Sequence, residues 1–295
     1  MTFNWNVIAD WEEIFRWPFM QNAFAAGTIV AIIAGIVGYF VVLRRSSFAA
    51  HALSHIGFAG AAGAVLFGIS PVFGLLLFTS VGGCGIAVID PRESHRDVQI
   101  GTVLAFMLGL GVLFISLYAG YATEAYSILF GEILGISVSD VIVTLIAGFV
   151  ILLAVLLVYK PLLFVSLDED VAEAKGMPTR LLGVVFMLLV AVATSIAVQV
   201  VGVLLIFALM VTPAAIAQKL ATRPLRAMII SIIIALMATW MGLIIAFYEP
   251  YPVSFFITSI VFAFYLFVSL VYERIRPIKA YQTKSIEDQM NSEMT

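Results

Sequence analysis

The stretch LLGVVFMLLVAVATSIAVQVVGVLLIFALMVTPAAIAQ, residues 181–218, contains no charged residue. A bilayer's hydrocarbon core is about 30 Å thick and a helix rises about 1.5 Å per residue, so one crossing takes about 20 apolar residues. The run is too long for one upright helix and long enough for two, and Gln199 with Gly202 marks the turn between them. Divided this way, 181–199 and 200–218 join seven other apolar windows at 22–43, 50–69, 71–89, 98–120, 140–158, 227–247 and 254–271. The expected fold is an all-α, polytopic transmembrane bundle of about nine spans.

Composition agrees. The 295 residues are 63% apolar and 11% charged, against roughly 45–50% and 25% in a soluble domain. One core cannot hide that much apolar surface from water, so lipid is the solvent for most of the chain. The net charge of −3 lacks the basic excess that neutralises phosphates, which argues against a nucleic-acid partner. The single Cys84 excludes an intrachain disulfide.

Lys and Arg in short loops stay on the cytoplasmic face. With nine spans and the N-terminus outside, every Lys and Arg except Arg16 falls inside. Adding or losing one span would scramble that alternation, so the charges support both the count and an inside C-terminus. Residues 1–21 have acids and Trp rather than a basic signal-peptide start, and are expected to form an external interfacial segment. Residues 22–274 form the membrane domain, and 275–295 a polar cytoplasmic tail.

Ionisable groups at membrane depth are costly and mark function. In His51-Ala52-Leu53-Ser54-His55 two imidazoles fall four residues apart, on one helical face, where neutral ring nitrogens can share a divalent metal. The alternative is a pair of hydrogen-bonded polar residues packed between helices. The same spacing occurs in the zinc-protease motif His-Glu-x-x-His, but Ala52 stands where that chemistry needs a general base. Asp140 reads as a helix N-cap, and Asp97 as a cap and charge partner. Gly57, Gly60 and Gly63 offer a small-residue face for close helix packing, with a smooth pathway wall as the other use. Pro213 removes a backbone hydrogen bond from the seventh span, where a kink or break fits a gate or a dimer interface. The inside loop from Lys160 to Arg180 carries a short helix at about 166–177, capped by Ser166, acidic in its first turn and ended by Gly176 and Pro178. No Gly-x-x-x-x-Gly-Lys-(Ser/Thr) occurs, so the chain carries no such ATP-binding loop.

These segments resemble the ABC-3 type membrane permeases of bacterial zinc, manganese or iron ABC importers. The resemblance runs from about Phe19 to Arg274. It rests on Phe19-Met20-Gln21-Asn22-Ala23, Leu43-Arg44-Arg45-Ser46-Ser47, Ala52-Leu53-Ser54-His55-Ile56-Gly57-Phe58-Ala59-Gly60 and Arg96-Asp97-Val98-Gln99-Ile100-Gly101. It rests further on Leu129-Phe130-Gly131-Glu132-Ile133-Leu134 and on Val203-Leu204-Leu205 running to Val211-Thr212-Pro213-Ala214-Ala215-Ile216-Ala217. The third segment is similar to the family's Asp-x-x-(Ser/Ala)-His-x-x-x-x-Gly signature, with His51 in the place of the usual Asp and Ala59 in that of a frequent Pro.

The resemblance implies a permease subunit in the bacterial inner membrane, paired as a homodimer, with two ATP-binding cassette ATPases and an extracytoplasmic metal-binding protein as partners. ATP is hydrolysed on the ATPase, not on this chain, and the chain holds no permanent cofactor. His55 carries over directly as a metal-handling residue, and His51 by position; Glu132 is a candidate third ligand. The short inside helix is similar to the family's coupling helix, with Asp168, Glu173, Ala174 and Gly176 facing the ATPase. Imidazole donors lean the cargo towards zinc over manganese, then iron. The alternatives are an ATP-independent secondary metal transporter and a membrane-embedded metalloenzyme.

Overall fold

A computed structural model describes residues 11–89, 95–118, 131 and 133–272. Among these every regular element is helical. A short α1 (Trp11–Ile14) precedes α2 (Pro18–Leu43), α3 (Ser47–Leu66), α4 (Pro71–Val88), α5 (Arg96–Leu117) and α6 (Val138–Leu167). A second short helix, α7 (Glu169–Ala174), leads to α8 (Thr179–Val201), α9 (Val203–Leu220), α10 (Pro224–Tyr248) and α11 (Val253–Tyr272). Among the described residues nine helices are long and apolar enough to cross a membrane, all except α1 and α7.

Two helices sit at the centre. α2 packs on α6, α8, α9 and α10, and α3 on α4, α5, α8 and α9. α2 and α3 share few contacts with each other, so α8 and α9 join the two groups. Within α3's most apolar window 78% of residues are buried, against 11% in α5. α5 therefore turns its Val, Leu and Phe side chains outward to lipid, where apolar exposure carries no penalty.

Small residues set the central spacing. A Cβ on Gly57 would meet Thr79, one on Gly60 would meet the Gly74 carbonyl, and one on Gly63 would meet the Phe114 ring. The Gly57, Gly60 and Gly63 face is a packing surface against α4 and α5. Gly74 in turn abuts the Gly60 carbonyl, so the α3 and α4 backbones touch directly. α4 is tied to α8 by the buried hydroxyl pair Thr79–Ser195, with oxygens 2.6 Å apart.

The ends of three helices share one device. α2, α3 and α7 each close with paired backbone bonds: Ser46 N–H to the Val41 carbonyl, Ile69 to Ala64 and Met177 to Ala172. The residue before each donor has positive φ: Arg45 at 52°, Gly68 at 70° and Gly176 at 76°. Glycine suits this left-handed position, and a side chain there strains the backbone. Gly68→Ala is expected to lose about 1 kcal/mol of stability from backbone strain alone, because no atom lies within 4 Å of the added methyl. Unfolding of the purified protein in detergent measures it; an unchanged transition refutes the strain account.

The division of 181–218 falls at Gly202, with φ 83° and ψ 164°, a conformation essentially confined to glycine. α8 thus runs two residues beyond Gln199. α6 runs to Leu167 rather than 158, passing through Lys160 and Pro161. α9 likewise continues through Pro213, whose side chain is buried, and the interruption of the chain lies at Gly202 instead.

Candidate functional site

His51 and His55 lie about one and two turns into α3. Their ring centroids are 4.7 Å apart at an interplanar angle of 84°. Phe207 of α9 stacks edgewise on His51 at 4.8 Å. Both imidazoles are half-buried, and the Nδ1 of each is buried without a hydrogen-bond partner. Buried polar nitrogens are normally paired, so these two donors are poised for a ligand or proton from outside the helix. Among the described residues no third His, Cys, Asp or Glu joins them. Two nitrogen donors fall short of the set that a tight structural zinc site uses.

Phe207 lies in the second turn of α9, which begins directly after the break at Gly202. Gly131 packs against the α8–α9 junction. Gly131 has φ 73°, and a Cβ there would lie 2.5 Å from the Gly202 nitrogen and 2.8 Å from the Val201 oxygen. Asn22 Nδ2 of α2 donates to the Ile136 carbonyl at 3.0 Å. Ser137, not Asp140, is the N-cap of α6. Its hydroxyl accepts from the Asp140 N–H, and the Asp140 carboxylate accepts from the Ser137 N–H, a reciprocal capping box. The other Asp140 oxygen accepts from Gln199 Nε2 at 3.2 Å, tying α6 to the end of α8. Glu132 lies outside the described residues. His95 occupies the N-cap position of α5, and Asp97 sits in the first turn behind it.

At the other end of α6, Ser166 is not the cap of the short helix. It remains in α6 and donates to the Leu162 carbonyl, while Asp168 caps α7 by accepting from the Val171 N–H at 3.0 Å. α7 is therefore shorter than 166–177. Ala172 is its buried anchor, against Val165 and Leu182. Asp168, Glu173, Ala174 and Gly176 are exposed, so α7 presents a polar outer face.

Beside α7 sits a residue read from sequence only as a topological charge. Arg44, at the C-cap of α2, donates from Nη1 to Ser166 Oγ at 3.4 Å. Its guanidinium lies 5.0 Å over the Phe186 ring of α8. Burial pulls the Arg44 guanidinium below its ordinary value; nearby Glu169 opposes that shift and Arg96 adds to it.

Nine helices among the described residues that are long and apolar enough to cross a membrane make this a multi-pass membrane protein, with a sparse pair of imidazoles in one of the spans. The chain belongs to the ABC 3 transport family, which it matches over residues 16–272. It is 33% identical over 213 residues to the manganese transport system membrane protein MntC of Listeria monocytogenes, covering 72% of this chain and 76% of that one. It is 32% identical to the manganese import system permease protein ScaB of Streptococcus parasanguinis, covering 80% and 84%. With the chelated iron transport system membrane protein YfeD of Yersinia pestis the identity is 30%, over 96% and 95%. The fold superposes on a chain of PsaBC from Streptococcus pneumoniae in complex with Fab with a TM-score of 0.80 at 30% identity, covering 89% of this chain and 95% of that one.

Proposed function

We propose that this chain is the permease subunit of an ATP-binding cassette importer that conducts a divalent transition metal into the cytoplasm. The observation that carries the reading is the half-buried His51–His55 pair with its unpartnered Nδ1 atoms. Two copies would line one pathway, so that two such pairs converge on the ion. Glu132, on the segment that follows Gly131, is a further donor. Pro213 marks a gating position in α9, where a carbonyl one turn earlier lacks its usual N–H partner. α7 engages the ATPase through Asp168, Glu173, Ala174 and Gly176, with the N-terminus outside and a metal-binding protein docking there.

The names of the relatives support manganese or iron as cargo. A specific feature favours zinc as a second reading: both donors of the pair are imidazoles, which suit zinc better than manganese. Elemental analysis of cells expressing this chain with its ATPase and binding protein decides between them. A gain in one metal that disappears with an ATPase-dead partner supports the importer and names the ion. A gain that survives identifies an ATP-independent transporter.

The coupling role has its own test. Gly176→Pro, which cannot hold a positive φ, and Glu173→Ala are expected to leave ATP hydrolysis by the assembled complex while lowering transport per ATP by about ten-fold, the size of a 1.4 kcal/mol loss in coupling. Transport at the wild-type ratio in both would remove α7 from the coupling path.

A further inference from the structure

Arg44 is anchored in α2 and reaches for the joint between α6 and α7. Its own N–H donates to the Phe40 carbonyl at 2.9 Å, and the next two N–H groups, of Arg45 and Ser46, return to the Val42 and Val41 carbonyls. The Ser46 hydroxyl donates to the Arg44 carbonyl at 3.2 Å. These bonds make the turn a stiff extension of α2. The guanidinium leaves it for partners on both sides of the α6–α7 joint. Before the joint, the Ser166 oxygen accepts from Nη1 at 3.4 Å; after it, the Glu169 carboxylate stabilises the positive charge. Arg44 and Glu169 both line each of two cavities beside α7, of about 400 and 380 Å³. That open space leaves the pair room to change its separation.

α2 can carry a displacement onward. It shares few contacts with α3, to which a three-residue turn joins it, and it packs extensively on α9. A Cβ on Gly38 of α2 would fall on the Met210 carbonyl of α9, so the two backbones touch. Gln218 Nε2 of α9 donates to the Tyr39 carbonyl at 3.1 Å, a second tie between the same helices. α9 also carries Phe207, the ring that stacks on His51. Close-packed contacts transmit a shift instead of absorbing it.

We propose that Arg44 is the positioning residue that passes a displacement of α7 to α2, and through α2 to the helix that sets Phe207 against His51. Glu169 is the handle, Ser166 the pivot, held by its own bond to Leu162, and α2 the part that moves. This role rests on the reading of α7 as the ATPase-facing helix and of the His51–His55 pair as a stop for the metal.

The permease assembled with its ATPase and binding protein in liposomes is assayed for manganese, zinc or iron moved per ATP hydrolysed, with unfolding midpoints measured alongside. Glu169→Gln and Arg44→Gln are each expected to lower the ratio about five-fold, the small end of a coupling free energy. The double variant is expected to fall no further, because two residues acting as one unit are not additive. Arg44→Lys keeps the charge and recovers part of the ratio. Asp170→Asn, the same change of charge one residue along α7, keeps the wild-type ratio. A merely structural role would lower the midpoints without this pattern. Where Arg44→Gln fails to fold, Ser166→Ala takes its place in the cycle with the same expectation. Effects that multiply in the double variant, a wild-type ratio in Glu169→Gln, or an equal loss in Asp170→Asn overturns the proposal. A wild-type complex that moves none of these metals on ATP refutes the importer itself. Import that Glu173→Ala uncouples and Glu169→Gln leaves intact keeps the importer and removes only Arg44 from the path.

Discussion

Cells carrying His55→Ala are expected to accumulate at least about ten-fold less metal than the wild type, because even a residue that only supports a metal ligand changes affinity 10–100-fold. His55 shares one face of α3 with His51, and removing it leaves a single imidazole beside Phe207. One neutral nitrogen cannot compensate the dehydration of a divalent ion at membrane depth. ATP hydrolysis by the assembled complex is expected to continue, since α7 packs on α6 and α8 and takes its fold from Asp168, Ala172 and Gly176. His51→Asp should behave differently. It exchanges a nitrogen donor for oxygen, so uptake should persist with its preference moved towards manganese. Elemental analysis of whole cells together with an ATPase assay reads both. Wild-type uptake by the His55→Ala and His51→Ala double variant would remove the pair from the pathway.

Gly131→Ala is expected to be strongly destabilising, because two costs combine at this one position. Positive φ and direct contact with the Val201–Gly202 backbone act together, and neither neighbour is a side chain that can rotate away. Strain and overpacking together amount to about 2–5 kcal/mol. Gly109→Ala is the control: it lies in α5 with ordinary φ and nothing within 4 Å of the added carbon. Unfolding midpoints in detergent compare the two. Equal midpoints would mean that Gly131 does not bear on the α8–α9 junction.

The spans were legible because dehydration is a bulk property: each window long and apolar enough to cross is a helix here. Their ends were less so. Lys160 and Pro161 look like a stop, yet α6 absorbs both near its end; Pro forfeits a single bond there and a long basic side chain can extend to water. Gln199 looks like the polar turn residue, yet its amide is used by Asp140 across helices, and backbone geometry puts the turn at Gly202. The His51–His55 pairing followed from the 3.6-residue period. What lines its surroundings did not: the stacking of Phe207 on His51 and the seating of Gly131 on Gly202 join residues with no periodic relation. Arg44 carried two meanings, a topological charge and a tie from α2 to Ser166 and Phe186, and only the first is written in one dimension.

The mutual contact of Gly60 and Gly74 fixes more than a spacing. Sliding α3 along α4 by one residue would bring Ala59 or Ala61 against a carbonyl that has room only for hydrogen. The two helices therefore have one seating, like a notch on a ruler, and the Thr79–Ser195 bond extends that registration to α8. On the proposed metal pathway, the depth at which an ion would meet His51 and His55 is then fixed by this seating, and alternation of access would fall to helices outside the registered trio.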